Sequence, residues 1–228
     1  LCDRRQRQMC IRDSSKAIDM KNLIIIGAGG MGRTMYDLSR ESLGYNTEFI
    51  IKGFVDDDLF ALSSFNGYPL ILGTISEYQP LEDDVFVCSI GGRSRSNCIQ
   101  MILEKGGKFI SLIHKTARIG TNVQLGKGNQ VGAFTTIAAD TQIGDYNFIQ
   151  SYSIIGHDVK IGNWNRIDSQ VMMVGATTVG DHNMIHTGVM INHNVQIGDG
   201  CTIGACSFVT MDVESGSTLF STPARRLK

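Results

Sequence analysis

The chain has 228 residues, with 21 Lys and Arg against 22 Asp and Glu and 42% hydrophobic residues, a balance that excludes a strongly basic polyanion binder and a solvated acidic chain. Its longest apolar runs, NLIII and VFVCSI, fall far short of the ~20 residues a membrane-spanning helix needs. No secretory pattern is legible, so the expected setting is cytoplasmic, and only 3 prolines argue against long extended linkers.

Residues 1–19 are expected to be a non-native leader. The run RRQRQMCIRDS, Arg4 to Ser14, resembles an in-frame translation of a sequencing adapter, and the natural start is expected at Met20. This segment holds five of the basic and three of the acidic groups, which leaves 16 against 19 and a net charge of −3. No nucleic-acid partner is implied. Cys2 and Cys10 go with the leader, and Cys88, Cys98, Cys201 and Cys206 have no metal-ligand spacing. They are expected to be small buried residues of a reducing compartment.

Residues 20–114 alternate strand and helix patterns. NLIIIG is a strand, GAGGMG a loop, and the stretch after it a helix whose Met31, Met35, Leu38 and Leu43 face inward. The runs EFIIKGFVDDD, PLILG, DVFVCSIGG, SRSNCIQMILEKGG and KFISLI continue the alternation, which predicts a parallel sheet with helical crossovers. The loop glycines Gly27, Gly29 and Gly30 suit a phosphate at a helix N-terminus. Asp56 and Asp57 stand where such folds hold a ribose, and Gly91 ends a second strand-to-helix loop. About 95 residues give room for one mononucleotide-binding half. These six residues are therefore expected to bind a nucleotide-linked sugar. An NAD-dependent oxidoreductase would rest on GAGGMG alone and leave the second half of the chain unexplained.

From residue 115 to 228 the period changes. Every sixth position from Ile119 through Leu125, Val131 and onward to Val209 is aliphatic or methionine, sixteen in succession. Six residues match neither a helix nor simple alternation; the period marks a parallel β-helix. Three hexads make an 18-residue coil, so the run predicts just over five coils with strands stacked ~4.8 Å apart. The aliphatics should point inward, the short residues two positions earlier should fill corners, and the glycines directly after should supply unusual turn dihedrals. His157, two residues past Ile155, should project outward from a turn. His193 shares its phase two coils on, with Gly175 between them. His114, His182 and His186 read as structural, and no pair of histidines has metal-ligand spacing.

Together, IIGAGGMGR, GFVDDD, LIHKTARIG and a repeat ending in STPARRLK resemble the bacterial hexapeptide-repeat acetyltransferases that act on UDP-4-amino sugars, a group that also includes sialic-acid O-acetyltransferases. The resemblance implies an α/β Rossmann-like domain followed by a left-handed parallel β-helix, a homotrimer, and acetyl-CoA as co-substrate. It implies His157 as catalytic base, oriented by Asp158. Gly175, Ala205, Pro223 and Arg225 match cofactor-binding positions. Arg166 stands where the family often has a second histidine near the acetyl group, and joins the cofactor set as a hydrogen-bond donor. Ser221 replaces a glycine of the family's tail. The activity implied is N-acetylation of a nucleotide-linked amino sugar; O-acetylation of a sialic-acid type sugar and a non-catalytic trimeric scaffold are the alternatives.

Overall fold

The computed structural model describes residues 20–92 and 94–221; the leader, Pro223 and Arg225 lie outside the described residues. Strand β1 (Lys21–Ile26) is an aliphatic run with no exposed side chain from Leu23 to Ile26, as a central parallel strand covered on both faces must be. It pairs in parallel with β2 (Phe49–Val55) on one side and β3 (Asp84–Cys88) on the other, and β4 (Lys108–Phe109) closes the order β2-β1-β3-β4. Alternation divides the core. Leu23 and Ile25 pack with Met35 of helix α1 (Gly30–Arg40), while Ile24 and Ile26 pack with Ile99 and Ile102 of α2 (Ser94–Glu104). No helix among the described residues is long and apolar enough to cross a membrane.

Three expectations for this half need correction. Leu43 is exposed, because α1 ends at Arg40 and Leu43 lies beyond it. PLILG is not a full strand: a single bridge from Ile71 to Phe54 holds it at the sheet edge. Of the cysteines, Cys88 and Cys201 are buried, but Cys98 is half-buried and Cys206 is exposed. Burial pushes the Cys88 thiol up to about 11.

A charged cluster fastens the edge of the sheet. Lys52 Nζ donates to Asp84 Oδ1 at 2.8 Å and Tyr78 Oη donates to Asp84 Oδ2 at 2.8 Å. Burial opposes ionisation of Asp84, yet bonds from Lys52, the Leu81 amide and Tyr78 outweigh it and hold the carboxyl below its usual range. A depressed carboxyl contributes stability above its unfolded pKa and loses it as pH falls through the folded value. Acid unfolding should therefore steepen below about pH 4, and Asp84→Asn should flatten that limb while lowering stability at pH 7. Urea melts at pH 3, 5 and 7 would show this; an unchanged acid limb would count against it.

The β-helix begins with Leu112–Ile113 and runs to Thr218–Leu219. Its two-residue strands stack in register into three parallel sheets, each strand pairing with one 18 residues away until the last coil. The ladder aliphatics Val131, Ile137, Ile149, Ile155, Ile167, Ile185, Ile191 and Ile203 are fully buried. The corner-filling expectation also holds. Asn129, Asn147, Asn165 and Asn183 form a buried column in which each Oδ1 accepts the backbone N–H of the residue one coil on, ending at Cys201. The column thus satisfies the backbone N–H groups of Asn147, Asn165, Asn183 and Cys201 in turn, while Asn183 Nδ2 has no partner among the described residues.

The glycines act differently from what was expected. The left-handed backbone falls three residues after each inward aliphatic, at Asn122, Phe134, Asp140, Tyr146, Asp158, Trp164, His182 and their equivalents, and most of these are not glycine. Gly156 and its counterparts lie instead where adjacent coils touch: a Cβ on Gly156 would sit 2.7 Å from the Gly175 nitrogen and 2.8 Å from the Met173 oxygen. Close approach, not positive φ, selects them. After Val209 the period contracts by two residues, so Val213 bridges to Ile197 and Leu219 pairs with Ile203.

The three faces have different surroundings. The domain-side face, with strands opening at Gln130, Phe148, Arg166, Met184 and Thr202, carries the α/β domain: Gln130 Nε2 donates to the Cys88 oxygen at 2.9 Å and Arg95 Nη1 to the Tyr146 oxygen at 2.6 Å. His114, buried at the junction, lies 2.8 Å from Glu41 Oε2. The next face exposes Ile154, Met172, Met190 and Phe208 in a stripe. The third presents Gln124, Gln142, Lys160, Thr178 and Gln196.

Candidate active site

Ile155 points into the prism and Gly156 lies against the coil above, so the chain turns and His157 projects from the edge between the apolar and polar faces. Asp158 takes φ +58°, which brings its carboxylate back to the ring: His157 Nδ1 is 2.7 Å from Asp158 Oδ2. A carboxylate only accepts, so Nδ1 is the donor, and in the neutral ring Nε2 is the nitrogen with the lone pair. Nε2 stands over Gly175 of the next coil, where an added Cβ would lie 2.6 Å away. Both members of the pair are solvent-accessible, at 64% and 61% exposure.

This edge differs in its backbone from the edge where the polar and domain-side faces meet. Where the polar and domain-side faces meet, the turn amides of Lys127, Asp145, Asn163 and Asp181 are capped by Asp or Asn side chains of the next coil. Along the His157 edge the N–H groups of Ala139, His157, Gly175 and His193 make no hydrogen bond among the described residues. A row of free donors therefore runs past the imidazole. His193 is exposed on this edge, as its phase required.

The glycine loop is built for close packing. Gly27 has φ +94°, and a Cβ on it would lie 2.7 Å from Ser89 Oγ. Among the described residues nothing lies within 4 Å of the position a side chain on Gly29 would take. Asp56 Oδ2 accepts from the Ala28 amide at 2.6 Å and Asp57 Oδ1 from the Ile75 amide at 3.1 Å. Both carboxylates thus brace loops around the strand ends. Gly91 follows β3, and a Cβ there would lie 3.1 Å from Arg166 Nη1.

Within one chain the predicted residues therefore fall into separate groups. His157, Asp158 and Gly175 share one edge. Gly27, Gly29, Gly30, Asp56, Asp57 and Gly91 share the strand ends of the α/β domain. Arg166 joins Gly91 on the domain-side face, opposite the His157 edge. Ala205 is exposed on the remaining edge, where its oxygen accepts from Ser221 Oγ at 2.8 Å.

The sequence reading missed a cleft of about 340 Å³ between Gly91, Gly92, Trp164, Arg166, His182 and Met184. Trp164 and His182 line it and stack at 6.1 Å, and Tyr146, buried beneath, stacks on Trp164 at 4.4 Å. The 18-residue spacing of these three rings was a legible sign of their stacking; the facing loop was not.

Residues 140–175 and 176–210 match the bacterial transferase hexapeptide (six repeats) family, and residues 22–102 match the PglD N-terminal domain. The chain belongs to the hexapeptide-repeat acyltransferases. Among solved structures, WeeI from Acinetobacter baumannii AYE is 25% identical, with a TM-score of 0.77 over 91% of this chain and 100% of that one. The acetyltransferase domain of PglB from Neisseria gonorrhoeae FA1090 is 26% identical over the same shares, with a TM-score of 0.79. PerB from Caulobacter crescentus, in complex with CoA and GDP-perosamine, shares the fold at 24% identity and a TM-score of 0.77, covering 87% of this chain and 94% of its own. A curated relative, uncharacterized protein L142 of Acanthamoeba polyphaga mimivirus, is 30% identical over 125 residues, 55% of this chain; this chain spans about 24% of its length.

Proposed function

We propose that this acyltransferase moves an acetyl group from acetyl-CoA to the amino group of a nucleotide-linked sugar, with His157 as general base. The observation that carries the reading is the His157–Asp158 pair standing over the open Gly175 amide. The co-substrate supplies an activated thioester. His157 Nε2 accepts the proton that the attacking amine must lose, and Asp158 stabilises the imidazolium that forms. The Gly175 N–H is placed to hold the developing oxyanion. The amine nitrogen bonds to the acyl carbon, the carbon–sulfur bond breaks, and the proton leaves with the thiolate. Structures solved with acetyl coenzyme A, for the gonococcal domain, and with CoA and GDP-perosamine, for PerB, support both substrate classes.

The nucleotide belongs at the strand ends. In the order β2-β1-β3-β4 the chain adds β2 on one side of β1 and then crosses to add β3 on the other, and ligands of open α/β sheets sit at such a switch point. Gly27–Gly30 and Gly91 flank it. Because His157 lies on the edge opposite the α/β domain of its own chain, a site using both draws on two copies. The exposed Ile154, Met172, Met190 and Phe208 stripe beside that edge gives a second copy its apolar contact, and a homotrimer is the proposed assembly.

The test is release of CoA thiol from acetyl-CoA with UDP-, dTDP- and GDP-linked amino sugars and free sialic acid as acceptors. Turnover with one amino nucleotide sugar is the expected result. Turnover with sialic acid alone would replace N- by O-acetylation, and no thiol release from any acceptor would sink the reading.

A further inference from the structure

The cleft between the two domains has a charge pattern that neither the base nor the glycine loop accounts for. Its lining includes Arg95, Arg166 and His182 and, among the described residues, no carboxylate. Arg166 Nε donates to Asp168 Oδ1 at 2.7 Å, and Asp168 is itself buried and fixed by Gln150 Nε2 at 2.7 Å. The guanidinium is therefore clamped at one corner. Its Nη groups make no hydrogen bond among the described residues, and Nη1 faces the Gly91 loop.

Arg95 makes the second observation. It is 8% exposed, and it pairs with no carboxylate among the described residues. Nη1 reaches the Tyr146 oxygen, whereas Nε and Nη2 have no hydrogen-bond partner. Burial pushes its pKa down. A buried cation without a counter-charge is costly, and an anion in the adjoining cleft would offset that cost. Gly92 leads into the eleven-residue α2, which has no acidic side chain in its first turn, so the helix dipole adds to the same field.

We infer that this cleft is an oxyanion site of the acceptor side, in which Arg166 binds a diphosphate or a sugar carboxylate. Arg166 thereby leaves the cofactor set in which its position in the sequence had placed it. The inference rests on the acetyltransferase reading for the anion's role as acceptor, and not for its binding. A guanidinium pinned at Nε offers two parallel N–H donors in a fixed plane, the geometry that phosphate and carboxylate oxygens accept.

Trp164 is the single tryptophan of the chain and lines the cleft, so its fluorescence reports occupancy. The intact protein would be titrated with inorganic pyrophosphate, glucuronate and adenosine 3′,5′-bisphosphate, the last standing for the nucleotide end of CoA. Wild type should respond to pyrophosphate or glucuronate. Arg166→Gln, which reaches as far as the Nε position and keeps a donor toward Asp168 but lacks the Nη groups, should weaken that anion by about tenfold or more, and Arg166→Lys should restore part of it. Loss for pyrophosphate names the diphosphate; loss for glucuronate names an acidic sugar. The inference is overturned if neither anion binds wild type, if Arg166→Gln binds both unchanged, or if only the bisphosphate is weakened. Thiol release by wild type with anion binding indifferent to Arg166 would defeat this inference alone; Arg166-dependent binding without turnover would defeat only the acetyltransferase reading.

Discussion

His157→Ala will lower the rate of acetyl transfer by about 10²–10⁴-fold, the usual worth of a positioned general base, and will leave the fold unchanged. The imidazole is exposed and its one strong partner is its neighbour Asp158, so its removal opens no cavity. Ile155 and Val159, on either side, keep their places in the core. Thermal melts of wild type and variant should therefore coincide while kcat separates them. Asp158→Asn is the informative companion. Asparagine tolerates the left-handed backbone at φ +58° but carries no charge, so the turn stays and the imidazolium loses its stabilising carboxylate. A smaller fall in kcat is expected than for His157→Ala. Equal kcat for His157→Ala and wild type would remove His157 from the chemistry.

Gly156→Ala and Gly175→Ala will differ in kind, although one coil separates them. A Cβ at Gly156 meets the Gly175 nitrogen at 2.7 Å, the Met173 oxygen at 2.8 Å and the Val174 carbon at 3.0 Å. These are backbone atoms of the adjacent coil, and Gly156 itself donates to the Met173 oxygen at 2.9 Å. They can give way only if the stack opens. The expected loss is about 1–3 kcal/mol, as for other overpacked sites, seen as a fall in melting temperature of several degrees. A Cβ at Gly175 meets instead the His157 ring, at 2.6 Å from Nε2. That ring is free to swing into solvent. Stability should change little, while displacing the base costs turnover on the order of 10²-fold. If Gly175→Ala unfolds the protein and Gly156→Ala spares it, the account of coil contacts is wrong.

The repeat was the most legible feature of the chain. Ile119 through Val209 announced the coils because a strand of fixed length stacked on its own copies repeats its buried position at a constant step. The last coil escaped that reading: two residues fewer before Val213 break the step, while the ladder itself continues. Glycine roles were misjudged for a related reason. Sequence shows that Gly156 recurs in phase, but only stacked coils reveal that its missing side chain makes room for a neighbouring backbone, and that Asp158 and Trp164 carry the left-handed turn.

The sequence by itself determined the period, the inward ladder, the α/β order of the first half and the His157–Asp158 pair, all of which depend on neighbours within a few residues or on a strict repeat. The tertiary structure decided what faces what. It set Arg166 against Gly91, 75 positions earlier, and away from His157, nine positions earlier, because a triangular coil sends residues half a turn apart to opposite sides of the prism. It also buried Arg95 at a junction between two domains, without a counter-charge among the described residues. Such placements depend on how separate cores dock, which no local spacing encodes.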